Sequence, residues 1–165
     1  MGLGRTGSVA AADAPTIHAR AKLSGFNEVP PKLTGGNGTF SATVQGGSLT
    51  YKLTFSGLST PAFMSHIHFA QAAVNGGIFL WLCGSATAPG PAGTPTCPAG
   101  GGTVSRTVTA ADIVTISPDQ GVNAADFAGA LRILESGDAY VNVHTTRFPG
   151  GEIRGQVRTN DDNSD

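Results

Sequence analysis

Short runs in which apolar and polar residues alternate, separated by turn-forming residues, most constrain what this chain can fold into. From Ile17 to Leu23 every second residue is apolar, and the same alternation recurs in residues 39–44 and 49–55. Because side chains along a strand point to opposite faces in turn, a period of two predicts half-buried β-strands. The sequence Gln-Gly-Gly-Ser at 45–48 joins the second and third runs and predicts a hairpin.

The remaining patterns add further strands and one helix. Residues 78–83 are apolar on both faces, which predicts a central strand. The spacing of Phe127, Ala130, Leu131 and Leu134 predicts a helix at about 124–136, with Asn123 as N-cap and Gly137 just past its end. About eight short strands with one helix predict an all-β fold, an antiparallel Greek-key sandwich or flattened barrel.

Length and charge limit the organisation and the partners. With 165 residues, we expect an N-terminal arm at 1–15, one domain at 16–159 and an acidic tail at 160–165. Ten basic and eleven acidic side chains give a net charge of −1, which would not attract nucleic acid or an anionic membrane surface. No run of eighteen apolar residues occurs, so no membrane span is expected.

The two cysteines predict a cross-link. Cys83 and Cys97 are separated by thirteen small, polar or turn-forming residues, GSATAPGPAGTPT. A disulfide closing this loop would stabilise the fold by about 3 kcal/mol, and disulfides persist in oxidising compartments. Together with the 24 glycines, this predicts a secreted, extracellular or periplasmic protein.

Three of the four histidines form a candidate metal site. His66 and His68 lie on one strand face, with their Cβ atoms about 7 Å apart. His144 ends another strand, so a third ring would complete three nitrogen ligands, a set suited to Cu(II) or Zn(II). The alternative is an ordinary water-exposed strand face without an ion. His18 alternates with charged residues and is interpreted as a surface side chain.

A series of ordered motifs resembles the CHRD domain, which is named after chordin and is widespread in secreted bacterial proteins. The motifs cover nearly all of residues 17–158: LSGFNEVPP at 23–31, LTYKLTFSGL at 49–58, SHIHFA at 65–70, NGGIFLWLC at 75–83, QGVNAADFAGALRILESG at 120–137 and AYVNVHTTRFPGGEIRGQV at 139–157. That family is in turn similar to the β-barrel of copper–zinc superoxide dismutases. The resemblance implies that His66, His68 and His144 hold one copper-class ion, with zinc as the alternative.

Departures from the dismutase pattern limit that comparison. Residues 70–76 contain no histidine that could bridge a second metal, and the dismutases' zinc loop is missing. Near the position of their guiding arginine stands Glu152, expected as an acid at the site's rim, with Arg147 or Arg154 as possible substitutes. The NEVPP and GGEIR segments are interpreted as turns that contain a Glu–Arg contact.

The function predicted from the sequence is a secreted CHRD-domain protein that binds one copper-class ion, with redox activity left open. Two alternatives remain. The first is a non-catalytic structural module that assembles into a homo-oligomer or filament through strand edges and the N-terminal arm, with incidental histidines. The second is a copper-only superoxide dismutase.

Overall fold

A computed structural model describes residues 16–116 and 119–160. The predicted N-terminal arm and residues 161–165 of the predicted tail lie outside this part. The described residues form nine strands and one α-helix, which lies between the sixth and seventh strands. The elements are β1 Ile17–Ser24, β2 Asn37–Gln45, β3 Ser48–Ser56, β4 Ala62–Phe69, β5 Gly77–Cys83, β6 Gly102–Val108, α1 Phe127–Glu135, β7 Ala139–Thr145, β8 Ile153–Gln156 and β9 Arg158–Thr159.

The strands form a nearly closed antiparallel barrel, which confirms the predicted fold class. Eight strands follow the order β5-β4-β7-β8-β1-β2-β3-β6, and the two-residue β9 pairs with β1. The end strands β5 and β6 contact each other and bring the barrel close to closure. The pairings of β3 with β6 and of β4 with β7 join strands that are distant in sequence, as in a Greek key.

The alternating runs form the barrel wall as predicted. In β1, β2 and β3 the apolar positions are buried in the barrel interior, where Phe40, Tyr51 and Leu53 are among the largest side chains. Between β2 and β3, Gly46 and Gly47 have φ values of 57° and 78°. Two consecutive positive φ angles define the turn that matches the twist of paired strands, so the predicted hairpin is confirmed.

The helix begins three residues later than predicted. Its N-cap is Asp126, whose carboxylate accepts a hydrogen bond from the backbone N–H of Gly129 at 2.8 Å. Ala125 has a φ of 62°, so the chain is not yet helical there, and the prediction of Asn123 as N-cap was wrong. Gly137, with a φ of 75°, follows the helix as predicted. Within the described ranges, no helix has both the length and the apolar character needed to cross a bilayer.

Strand β5 lies at an end of the sheet, so its prediction as a central strand was wrong. In residues 16–116 and 119–160 its one strand partner is β4. It is apolar on both faces because other segments cover it: Phe79 and Leu80 face α1 across a small apolar cavity, and the carbonyl of Phe79 accepts a hydrogen bond from the N–H of Val114. A covered end strand and a central strand have the same apolar sequence pattern.

The predicted disulfide is present. Cys83, the last residue of β5, is bonded to Cys97. The loop between them folds back onto the strand, and Gly90 lies close against the indole ring of Trp81. The cross-link therefore holds a loop over the outer face of β5, beside the strand that carries two of the candidate ligands.

Candidate metal centre

The three candidate ligands lie on the outer face of the barrel. On β4 and β7, Ile67, Val141 and Val143 belong to the buried core. Since neighbouring residues of a strand point to opposite sides, the intervening histidines face outward, toward the connecting loops. His66 lies opposite Asn142 in the β4–β7 pairing, and His144 is two residues further along β7.

The structure brings His66, His68 and His144 together. One ring nitrogen from each lies within 4.8 Å of the other two. His66 Nδ1 is 3.2 Å from His144 Nε2, and the ring centroids of His66 and His68 are 5.4 Å apart. His18 is exposed and contacts Thr43, as its surface interpretation required. The predicted grouping is therefore confirmed, while the binding of an ion remains a prediction.

The three rings are buried, so the alternative of a water-exposed strand face is wrong. His66, His68 and His144 expose 0%, 7% and 6% of their surfaces. The indole of Trp81 stands edge-on to His66 with centroids 4.2 Å apart, and the ring of Tyr140 stacks on His68 at 4.6 Å. Aromatic rings thus enclose the cluster and exclude most water from it.

Two backbone carbonyls orient two of the rings. His68 Nδ1 donates to the carbonyl of Gly76 at 2.9 Å, and His144 Nδ1 donates to the carbonyl of Pro149 at 2.8 Å. A carbonyl can only accept, so each ring carries its proton on Nδ1 and presents the lone pair of Nε2 to the cluster. Metal-binding histidines are oriented in this way by their outer hydrogen bonds.

Burial keeps the rings neutral. It lowers the pKa of His66 to about 2, and repulsion from the neighbouring rings of His144 and His68 adds to this effect. Burial also lowers the pKa of His144, to about 4, and lowers the pKa of His68. At neutral pH all three rings are therefore deprotonated, which is the form that binds a metal ion.

Sequence reasoning missed Asn142. Its Oδ1 lies 3.1 Å from His68 Nε2 and 3.0 Å from His144 Nε2. The residue is 2% exposed and lies in the middle of β7, where asparagine is unfavourable. That position, two residues before His144 and hence on the same face, was the available signal. A further polar atom, His66 Nε2, is buried and has no hydrogen-bond partner among the described residues.

Glu152 does not form an acidic rim, so that expectation was wrong. It is fully buried, and its carboxylate accepts hydrogen bonds from the hydroxyls of Thr34 and Thr145 and from the hydroxyl and N–H of Ser59. Burial raises the pKa of Glu152, but these hydrogen bonds outweigh it and leave the pKa below its usual value. Glu152 thus joins three loops, and within the part of the chain that the structure describes it forms no hydrogen bond with an arginine.

Arg154 is also buried, which removes it as a guide for an anion at the surface. Its guanidinium lies 3.4 Å from the centroid of Tyr140 and donates to Asn75 Oδ1 and to the carbonyls of Gln71 and Val74. These bonds fasten the loop after β4 onto the outer face of the sheet. Arg147, by contrast, is exposed.

The fold and the cluster together define a β-barrel domain with a candidate metal centre on its outer face. The family model of the CHRD domain matches residues 19–157, and the chain belongs to the CHRD domain family. No curated protein and no solved structure matches it significantly. The similarity to copper–zinc superoxide dismutases therefore stays a prediction.

Proposed function

We propose that this domain binds one copper-class ion through His66, His68 and His144. The observation that carries the proposal is the convergence of three buried, neutral rings whose ligand atoms lie within 4.8 Å of one another. Imidazole nitrogens suit Cu(II) and also Zn(II), which is the alternative ion. Two of the rings are already held in the tautomer that a metal ion requires.

The cluster is poorly explained as a purely structural feature. Buried polar atoms are nearly always hydrogen-bonded to a group of the opposite kind. His68 and His144 have already committed their ring protons to backbone carbonyls, so neither can donate to another atom of the cluster. A cation would give the lone pairs at Nε2 of His68 and His144 a positively charged partner. Without a cation the cluster lowers the stability of the fold, as is common for residues that form a functional site.

The proposed location is extracellular or periplasmic. Membership of a family typical of secreted proteins and the Cys83–Cys97 disulfide support it, because such bonds persist in oxidising compartments.

Redox activity, and dismutation in particular, has weaker support. A superoxide dismutase needs an accessible metal and a positive approach for a small anion. Here the ligands are almost entirely buried, and Arg154 is enclosed by Tyr140 and backbone carbonyls. We therefore propose metal binding and no redox reaction. A self-assembling module with incidental histidines is the function that remains if no ion binds.

The test is copper uptake by the metal-free protein. We expect one equivalent of Cu(II) to bind and to give an electron paramagnetic resonance signal with nitrogen hyperfine structure. His144→Ala should abolish that signal, whereas the matched control His18→Ala, at the exposed histidine, should retain it. Sub-stoichiometric uptake, or equal uptake by both variants, would overturn the proposal. Circular dichroism checks that both variants are folded.

A further inference from the structure

Taking the proposed metal site as its basis, we propose that the side-chain oxygen of Asn142 is a fourth donor to the ion. We further propose that Glu28, from the NEVPP segment, is the positioning residue that turns this oxygen toward the histidines. The three-histidine site leaves the NEVPP segment unused, and Glu28 of that segment lies against Gly151, two residues after the Pro149 carbonyl that orients His144.

Three of the distances between the donor atoms match those between ligands of one ion. Asn142 Oδ1 lies 3.0 Å from His144 Nε2 and 3.1 Å from His68 Nε2, and His144 Nε2 lies 3.2 Å from His66 Nδ1. Ligands about 2.1 Å from an ion are about 3.0 Å apart at right angles and about 3.4 Å apart in a tetrahedron. Three nitrogens with one oxygen form a set that suits Cu(II).

The protons available around Asn142 do not suffice for ordinary hydrogen bonds. His68 and His144 present lone pairs at Nε2, because their protons are on Nδ1. The carbonyl oxygen of Asn142 is also an acceptor, so two acceptor pairs face each other at 3.1 and 3.0 Å without a proton between them. A bound cation turns this repulsion into coordination by all of these atoms.

The reversed amide, with the nitrogen toward the rings, is opposed by Glu28. Burial raises the pKa of Glu28 to about 7, while Arg154 and the Asn142 side chain act in the opposite direction by favouring the anion. Because the Asn142 oxygen faces the rings of His68 and His144, its N–H group is the part of the amide directed at this carboxyl. Reversal would set the amide oxygen against the Glu28 carboxyl, which in its ionised form can only accept. With the nitrogen directed at Glu28, the oxygen is directed at the histidines.

The surroundings of Glu28 hold it in place under Asn142. Glu28 is 4% exposed, although it belongs to a loop. Its carboxylate lies directly against Gly151, where any Cβ atom would collide with it. The Asn27 side chain donates to the carbonyl of Arg154 at 3.1 Å and ties the loop to β8, while the charge of Arg154 favours the Glu28 anion. The NEVPP and PGG segments are thus in contact through the buried carboxylate of Glu28.

The experiment measures Cu(II) affinity by chelator competition and the electron paramagnetic resonance spectrum of the loaded protein. Asn142→Leu removes the donor, and we expect affinity to fall about 10- to 100-fold, with altered spectral parameters but unchanged nitrogen couplings. Glu28→Gln should weaken binding about 10-fold, because glutamine accepts either amide orientation. The matched control Glu152→Gln alters another buried carboxylate that has no bond to Asn142, and should leave affinity and spectrum unchanged.

A double variant distinguishes positioning from general damage. When Glu28→Gln is combined with Asn142→Asp, the amide and the carboxylate exchange places. The amide introduced at position 28 can then donate to the carboxylate introduced at position 142, which still offers an oxygen to the ion. We expect this pair to regain at least wild-type affinity. A merely structural role for Glu28 predicts no such rescue.

The outcomes separate this inference from the proposed function. If wild-type protein takes up no stoichiometric copper, the three-histidine site itself fails, and the fourth donor with it. If wild-type protein binds copper but Asn142→Leu has the same affinity and spectrum, the fourth donor is overturned while the three-histidine site stands. If Asn142→Leu is weakened but Glu28→Gln is not, or if the double variant shows no rescue, the positioning role is overturned.

Discussion

At the scale of single residues, loops rather than strands set the chemistry of the centre. The strands bring the rings together, but the carbonyls that fix the tautomers belong to Gly76 and Pro149, each in a connection between strands. Glu28 likewise comes from a loop. The sequence predicted the three histidines because the period of a strand places them on one face. It could not predict Glu28 or the carbonyls, since the path of a loop has no comparable periodicity.

Gly151 offers a prediction at this scale. It has a φ of 125°, which favours glycine, and its Cα faces the Glu28 carboxylate without room for a Cβ atom. We expect Gly151→Ala to lower the free energy of unfolding by about 1–3 kcal/mol, and to weaken copper binding by displacing Glu28. Urea denaturation and chelator competition measure the two effects.

The adjacent Gly150 provides the control. A Cβ atom added there would meet nothing within 4 Å. Gly150→Ala should therefore change stability by no more than about 0.5 kcal/mol and leave copper affinity intact. Similar effects of the two substitutions would contradict the role given to Gly151.

At the scale of secondary structure elements, local patterns predicted which elements form more reliably than where they end or which neighbours they take. Alternation identified β1, β2 and β3 and the hairpin between the last two. The start of α1 was misplaced because Asn123 and Asp126 are equally favourable caps, and only the backbone at Ala125 decides between them. The sequence did not predict that β5 lies at the end of the sheet, because α1 and a loop cover this strand and make it apolar on both faces.

The helix cap gives a prediction with an internal control. Asp126→Ala removes the carboxylate that accepts from the Gly129 N–H, and should lower the free energy of unfolding by about 1 kcal/mol. Asn123→Ala should cost less than about 0.5 kcal/mol, because Asn123 contributes only its backbone carbonyl, which bonds to the N–H of Asp126. Chemical denaturation measures the free energy of unfolding of both variants. A larger decrease for Asn123→Ala than for Asp126→Ala would show that Asn123 is the N-cap, as the sequence predicted.

At the scale of the whole molecule, the buried cluster links folding to pH. Each of the three histidines has its pKa lowered by folding, so below about pH 6.5 the unfolded chain binds protons that the folded chain does not. The metal-free protein therefore loses stability as the pH falls below 6.5, by about 1.4 kcal/mol per pH unit for each such histidine. Glu28 acts oppositely: burial raises its pKa to about 7, so folding takes up a proton between pH 4.5 and 7.

The corresponding prediction concerns the metal-free protein between pH 5.5 and 4.5. His66→Gln removes one unprotonated histidine, so the fall in unfolding free energy across this interval should become shallower by about 1.4 kcal/mol per pH unit. The control variant His18→Gln, at an exposed ring, is measured in parallel. Urea denaturation at pH 7.5, 5.5 and 4.5 measures the slopes, and parallel profiles for His66→Gln and wild type would refute the assignment.

The division of β4 and β7 into an inner and an outer set of side chains has an evolutionary consequence. Ile67, Val141 and Val143 pack into the barrel, while the residues between them form the centre. Substitutions on the outer set can change or erase the histidine cluster while leaving the scaffold's packing intact. Relatives that share this architecture are thus free to diverge in chemistry, and each needs its own inspection at the positions equivalent to 66, 68, 142 and 144 before a ligand is assigned to it.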